Sequence, residues 1–402
     1  MKLLMLTPYV PYPPASGGQI RSLYLLKYLS KNHDITLICL YKNDQEKEYA
    51  TYLKKYCKQL YICRRPEKPW QLGIVLRSIF SFKPFLMVRN YSSEAAKTVA
   101  RLLAEQKYDV IHAETFYIMP HIPHIADIPT VLVEQTIEYE VYLHFINGLP
   151  LWMRPLFYLD IIKLRTSEID YWKKASLVVA VSEFDQRTIK KLAPRVKPLV
   201  IPNGVEDEMF VEKLPPKKIQ KPTLLFIGNF YWLQNTEAAQ YLIEKIYPVM
   251  LKKIPEARVI IAGQNALPKL RQYKAKNIEI LGDKPLSSKK IIELYRDSTV
   301  FIGPLFAPGG TNLKVLNAIG AGLPVVTTQI AAERLGLEHN KNVLIANTPE
   351  EFIQETQRIL TDHKLYEKIR KNAYSFGKEK YGYESLAHQL EVLYRSIRKK
   401  RN

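Results

Sequence analysis

The chain has 402 residues, 47% hydrophobic and 24% charged, which excludes a disordered polymer and predicts a globular protein of two domains of roughly 200 residues each. Its 59 Lys and Arg against 39 Asp and Glu leave a formal charge of +20, which calls for either an anionic partner or solvated faces of scattered lysine such as KKYCK (54–58) and KKI (289–291). Cys39, Cys57 and Cys63 are odd in number and lack zinc-ligand spacing, so reduced thiols and a cytoplasmic compartment are expected.

The opening MKLLMLTP is interrupted at Thr7 and Pro8, far short of a signal peptide's core or a membrane span, and reads as a buried first strand. No later stretch approaches about 20 uninterrupted apolar residues. From there KLLMLT (2–7), DITLICLY (34–41), DVIHAE (109–114), TVLVE (130–134), SLVVAVS (176–182) and PLVIP (198–202) alternate with helical patterns. That alternation predicts a doubly wound parallel sheet with helices on both faces. The pattern restarts with TLLFIG (223–228), ARVIIAG (257–263), NIEILG (277–282), TVFIGP (299–304), PVVTT (324–328) and NVLIA (342–346), which predicts a second such sheet.

Between the two series lies PNGVEDEMFVEKLPPKKIQKP (202–222), rich in proline and charge, with a hinge expected near Asn203 and Gly204. After residue 349 only helical patterns remain, at 350–362, 364–376 and 383–400, the last carrying Leu386, Leu390 and Leu393 as one apolar stripe. Open α/β sheets bind ligands outside the carboxyl ends of their strands, so the loops there are the functional candidates.

Two loops stand out. PPASGGQIRSLYLL (13–26) leads from the first strand into a helix, and Gly17 and Gly18 suit either an anion at the helix start or a tight turn. GGTNLKVLNAIGAGLPVVTT (309–328) joins a glycine pair to a helix whose first turn carries Lys314. The amides of Gly310 and Thr311 with that lysine would form a phosphate site needing no metal, the other reading being a glycine-rich turn beside a solvated lysine. WQLGIVLRSIFSFKPFLMVRNY (70–91) and LPLWMRPLFYLDIIKLRTSEIDYWKK (149–174) mix Trp, Phe and Leu with Arg and Lys, as interfacial helices do, or as helices covering their own core.

PYPPASGGQIRSLYLLKYLSKNHDITLI, VSEFDQ, VIPNGVEDEMF and GGTNLKVLNAIGAGLPVVTT, in that order and spacing, resemble glycosyltransferase family 4, the retaining GT-B transferases of bacterial polysaccharide and glycolipid assembly. The resemblance covers nearly the whole chain. It implies an acceptor-binding Rossmann-like domain at 1–203, a nucleotide-sugar donor domain at 204–376 and a terminal helix at 377–402 crossing back, the two domains facing a central cleft. It further implies a glycan or lipid-linked acceptor and no cofactor or metal. An anionic membrane surface is a further expected partner, on the inner face of the plasma membrane, whereas no nucleic-acid module is recognisable.

Carried over residue by residue, the resemblance exposes departures. Two family glutamates separated by seven intervening residues correspond here to Gly309 and Asn317, and an arginine of the matching branch corresponds to Asn312. Asparagine at 317 loses the charge-assisted bond of a carboxylate to a ribose hydroxyl, about 1–2 kcal/mol or roughly tenfold in donor binding. In GNFYWLQN (228–235), with Gly228 and Asn229 expected on the donor side, many family members place an Arg and a Lys where this chain offers Asn229, Trp232 and Asn235, which leaves Lys314 and the loop amides to meet the diphosphate; packing is the favoured alternative for Trp232.

In LGDKP (281–285), Gly282 and Asp283 would meet the base, or form a turn before a helix capped by Ser287 or Ser288. Glu114 is the residue of DVIHAET expected to face the sugar and, with Lys314, to be catalytic, while His112 fits the acceptor side or a core position. Arg21, Gln135 and Glu138 complete the acceptor-side set, with helix capping as the alternative for the last two. No carboxylate is nominated as nucleophile, so the family's front-face mechanism is expected. Asn317 and Asn312 keep a second reading open, a non-catalytic relative acting as a binding or regulatory subunit.

Overall fold

The structure is a computed structural model that describes residues 1–14, 16–68, 70–123, 128–148, 150–152, 154–211, 214, 221–273, 275, 277–306 and 312–399. The chain forms two compact units, Met1–Asn203 with Leu386–Asn402, and Gly204–Ser385. The division falls between Asn203 and Gly204. The helix His363–Tyr381 runs through the expected boundary at 376/377, and the chain re-enters the first unit only at Leu386.

The first unit holds seven strands: β1 Lys2–Thr7, β2 Asp34–Tyr41, β3 Gln59–Arg64, β4 Val110–Glu114, β5 Thr130–Glu134, β6 Leu177–Ala180 and β7 Leu199–Val200. All pair in parallel, in the order β3-β2-β1-β4-β5-β6-β7. Every residue of β4 and β5 is buried, as a parallel sheet covered on both faces requires. Edge strand β3 escapes the sequence pattern because Cys63 is its one fully buried residue, so no apolar run marks it.

The second unit holds β8 Thr223–Ile227, β9 Arg258–Ala262, β10 Ile278–Leu281, β11 Val300–Gly303, β12 Val325–Thr327 and β13 Leu344–Ile345. Their order, β10-β9-β8-β11-β12-β13, repeats the doubly wound arrangement. In both sheets the strand order reverses beside the first strand, between β1 and β4 and between β8 and β11, where such folds open a ligand crevice.

The terminal helix Tyr383–Lys399 buries Leu386, Leu390, Tyr394 and Ile397. Tyr394 rather than the expected Leu393 continues the stripe, because a four-residue step keeps the ring on the face of Leu390.

Candidate functional site

In the second unit β8, β9 and β10 leave the sheet side by side, and each is followed by a glycine: Gly228, Gly263 and Gly282. Gly263 has φ +136° and Gly282 φ +106°, backbone regions that favour glycine. A Cβ on Gly263 would stand 1.9 Å from the Gly228 carbonyl oxygen, and one on Gly282 would stand 2.3 Å from the Gly263 carbonyl oxygen. The carboxyl edge is therefore bare backbone at three successive exits. Gly263 was missed by the site reading, although TLLFIG, VIIAG and IEILG carried the signal.

Asn229 and Asn235 shape this loop. Asn229 Nδ2 donates to Gln264 Oε1 at 3.2 Å, its Oδ1 accepts from Tyr231 N at 3.0 Å, and its carbonyl accepts from Asn235 Nδ2 at 2.7 Å. Trp232 is not a packing residue: it is 56% exposed, between the exposed Tyr231 and Leu233. Asp283 is exposed, and Ser287 caps the helix Ser288–Asp297 by accepting from Lys290 N at 3.2 Å.

Gly309, Gly310 and Thr311 lie outside the described residues. Asn312 follows them as N-cap of the helix Leu313–Gly320, where its carbonyl rather than its side chain receives the first amides, from Val315 at 2.9 Å and Leu316 at 3.2 Å. Val315, Leu316, Ala318 and Ile319 are buried, whereas Lys314 and Asn317, three residues apart on one face, are half-buried. Burial pushes the Lys314 ammonium down to about 8. Among the described residues no carboxylate pairs with it.

The first unit places its polar residues in one buried chain of hydrogen bonds. His112 Nε2 lies 2.9 Å from Glu114 Oε1, and His112 Nδ1 lies 2.6 Å from the Tyr394 hydroxyl. Gln135 Nε2 donates to Glu114 Oε2 and, at 2.7 Å, to the Tyr9 hydroxyl, which meets Ser22 Oγ at 3.0 Å. Glu114 is 0% exposed, which corrects its expected place facing a sugar. Burial opposes its ionisation, but the His112 bond and charge, Arg21 and Gln135 outweigh that and hold the carboxyl below its ordinary range. It therefore positions Gln135, which is half-buried at the exit of β5.

Gly18 is required by that same side chain: a Cβ there would lie 2.2 Å from Gln135 Oε1 and 2.8 Å from the Tyr9 hydroxyl. Gly17 opens the helix Gly17–Leu29, whose N-cap Ser16 already accepts from Gln19 N, so one first-turn amide is spent internally. Arg21 is also buried rather than open to an acceptor; its Nη1 donates to the Pro202 carbonyl at 2.6 Å and to Asn203 Oδ1 at 3.3 Å. Tyr9, Ser22 and Tyr394 were not foreseen. At the end of β4, Thr115 adopts φ +71°, a strained region for a β-branched residue.

Neither Gln135 nor Glu138 caps the helix Glu138–Asn147. Glu168, completely buried, accepts instead from Glu138 N at 2.7 Å and Tyr139 N at 3.0 Å. Beside it Glu134 Oε1 accepts from Trp172 Nε1 at 2.7 Å. Burial and the Glu168 charge push Glu134 well above the ordinary carboxylate range; burial pushes Glu168 up as well, to about 8, against the pull of its two amides, so of the two Glu134 holds its proton more tightly. Burial also pushes Glu138 up to about 7, against the pull of Arg89.

The segments 70–91 and 149–174 meet. Asp160 Oδ1 accepts from Phe85 N at 2.9 Å, and Lys163 Nζ donates to the Ser78 carbonyl at 3.0 Å. Together they expose Trp70, Leu72, Ile79, Phe80, Phe82, Leu159 and Ile162. Among the described residues no helix is long and apolar enough to cross a membrane.

Comparison with known proteins gives this geometry a context. The Glycosyltransferase Family 4 model matches residues 15–209, and the Glycosyl transferases group 1 model matches residues 221–362. A 44.6 kDa protein in the cps region of Klebsiella pneumoniae is 23% identical over 392 residues, covering 94% of this chain and 96% of that protein. An uncharacterised glycosyltransferase of Methanocaldococcus jannaschii is 22% identical over 338 residues, 77% of this chain and 81% of its own. Among solved structures, sucrose-phosphate synthase of Thermosynechococcus elongatus superposes with a TM-score of 0.69 at 13% identity over 100% of both chains. Anabaena HepE in complex with UDP and glucose gives 0.64 at 16% identity over 98% of this chain and 100% of that one. With both doubly wound sheets matched, the chain belongs to glycosyltransferase family 4, the group 1 glycosyl transferases of GT-B fold.

Proposed function

We propose that this glycosyltransferase takes a sugar from a nucleotide-diphosphate-sugar and transfers it, with retention, to a glycan or lipid-linked acceptor in cell-envelope polysaccharide or glycolipid synthesis. The observation that carries the donor half is the half-buried Lys314, which pairs with no carboxylate among the described residues and shares one face of the Leu313–Gly320 helix with Asn317. A compact ammonium meets diphosphate charge there as a point charge, and Asn317 offers its amide to the ribose hydroxyls. HepE, of the same fold, was solved with UDP-glucose, which supports this donor class. The Klebsiella relative in a cps region supports a polysaccharide pathway.

In this reading the bond from the sugar's anomeric carbon to the diphosphate oxygen breaks with its electron pair leaving on the diphosphate. The acceptor oxygen bonds to the same face of that carbon, and its proton passes to a departing diphosphate oxygen. Lys314, with the amides of Gly310 and Thr311, stabilises the growing charge, and no metal or cofactor is needed. Gln135 and Glu138 serve the acceptor side, positioned by Glu114 and Glu168. The exposed apolar residues at 70–91 and 149–174, flanked by Arg and Lys, hold the enzyme at an anionic membrane surface on the cytoplasmic side.

The test is a thermal-shift series with UDP, GDP, ADP, CMP and dTDP. A nucleotide at 100 times its dissociation constant adds about 2.7 kcal/mol, enough to raise the midpoint by several degrees. One responding base identifies the donor, to be followed by release of that nucleotide from its sugar conjugates. Silence from all five favours the non-catalytic relative.

A further inference from the structure

Strands β2 and β3 end together: Tyr41 is paired with Arg64, and Arg65 N donates to the Tyr41 carbonyl at 2.9 Å. Lys42 and Arg65 are therefore the next pair, at the carboxyl edge where such sheets present ligands. Arg65 Nη1 donates to Asn90 Oδ1, and Asn90 is itself fixed by donating to the Leu86 carbonyl at 2.7 Å. That bond brings Arg65 to the last turn of the helix Phe85–Asn90, which carries Arg89. All three cations are half-buried. Among the described residues none has an ion pair, and Arg65 Nε is buried without a hydrogen-bond partner.

The acidic groups near this cluster offset it only in part. Glu46 Oε2 accepts from the Lys42 backbone N at 2.8 Å and its charge acts on Lys42 and Arg65, while Glu138, which feels Arg89, is pushed up to about 7 by burial. Burial, then the charges of Arg65 and Arg89, push the Lys42 ammonium below its ordinary range. Three cations gathered partly out of water against one such carboxylate leave a positive excess that costs stability, so the arrangement is one that an anion would complete. Guanidinium forks fit phosphate oxygens and the lysine adds a point charge. An apolar wall leads outward from the same place: Arg89 lies 5.8 Å from the Phe85 ring centroid, and Phe85 stacks at 4.8 Å on Trp70, which is 71% exposed.

We propose that Lys42, Arg65 and Arg89 form an anion site that receives a phosphate or diphosphate group carried by the acceptor. The proposal rests on the transferase reading for the word acceptor, but the site itself is testable without activity. Calorimetric titration of the full chain in a Lys314→Gln background, which weakens the other phosphate site, would use inorganic diphosphate, glucose 1-phosphate and geranyl diphosphate. The Lys42→Gln/Arg89→Gln variant should lose roughly tenfold to a hundredfold in affinity for every phosphate probe that the parent binds.

Geranyl diphosphate binding well above the other two assigns the phosphate to a lipid source; glucose 1-phosphate binding as tightly assigns it to a soluble one. Either result supports the site. Equal binding by parent and variant, or no binding of any probe at millimolar concentration, overturns it. The same pair of substitutions made with Lys314 intact should leave the nucleotide-induced thermal shift unchanged, which shows that the fold survives and separates this outcome from failure of the donor reading.

Discussion

The Tyr394 hydroxyl lies 2.6 Å from His112 Nδ1, so a helix near the end of the chain closes a hydrogen-bond chain that runs through Glu114 and Gln135 to Tyr9. Tyr394→Phe leaves a buried imidazole nitrogen without its partner, and about 1–3 kcal/mol of stability should be lost. Urea unfolding measures it; an unchanged midpoint would show that the bond contributes nothing.

Lys314→Gln should weaken nucleoside-diphosphate binding by roughly tenfold to a hundredfold, since a charge-assisted contact is removed. The wild-type affinity should also depend on pH. The ammonium is charged below its value of about 8, so affinity holds at neutral pH and falls as pH rises through that point. A flat titration curve from neutral to alkaline pH would argue against a role for this lysine.

Asn317→Glu restores a carboxylate on the half-buried Lys314 face of the Leu313–Gly320 helix. A gain of about 1–2 kcal/mol in nucleotide binding is expected, read as a larger thermal shift at equal ligand concentration. If the variant alone responds to nucleotide, the wild-type site is disabled and the non-catalytic reading gains.

Gly263→Ala places a methyl group 1.9 Å from the Gly228 carbonyl at φ +136°. Backbone strain alone costs about 1–3 kcal/mol, and the clash adds to it. Soluble yield and melting midpoint should both drop, whereas Gly73→Ala, with nothing within 4 Å of its Cβ, should be close to neutral in packing terms.

Glu134→Gln should stabilise the protein at alkaline pH. Because the folded pKa of Glu134 is raised, the unfolded chain releases that proton first, and stability falls as pH climbs from the ordinary carboxylate range toward the folded value. The amide cannot ionise, so the difference from wild type should grow from near zero in mild acid to its maximum above neutrality. Denaturant midpoints at three pH values would show it, and a pH-independent difference would sink the assignment.

Much of this was legible in residue order. A parallel strand covered on both faces must be apolar along its length, so KLLMLT, TVLVE and TLLFI announced themselves, and the Gly-rich and Pro-rich breaks between them marked the loops and the Asn203–Gly204 division. Strand β3 did not announce itself, because an edge strand with one buried side chain leaves no periodic trace.

The loop-to-helix pattern singled out Lys314, and the family resemblance singled out His112, Glu114, Gln135 and Asn317 by matching position; the three-residue spacing of Lys314 and Asn317 puts them on one helix face. It could not say that Glu114 and Arg21 are sealed from solvent, since burial depends on Tyr394, Gln135 and Pro202, which are distant in the chain. The cap that Glu168 supplies to Glu138, the crossing of Gly228, Gly263 and Gly282, and the meeting of Lys42, Arg65 and Arg89 have the same origin. Side-chain type and period are properties of neighbours along the chain, whereas counter-charge, cap and close approach are set by whichever remote segments the fold brings together.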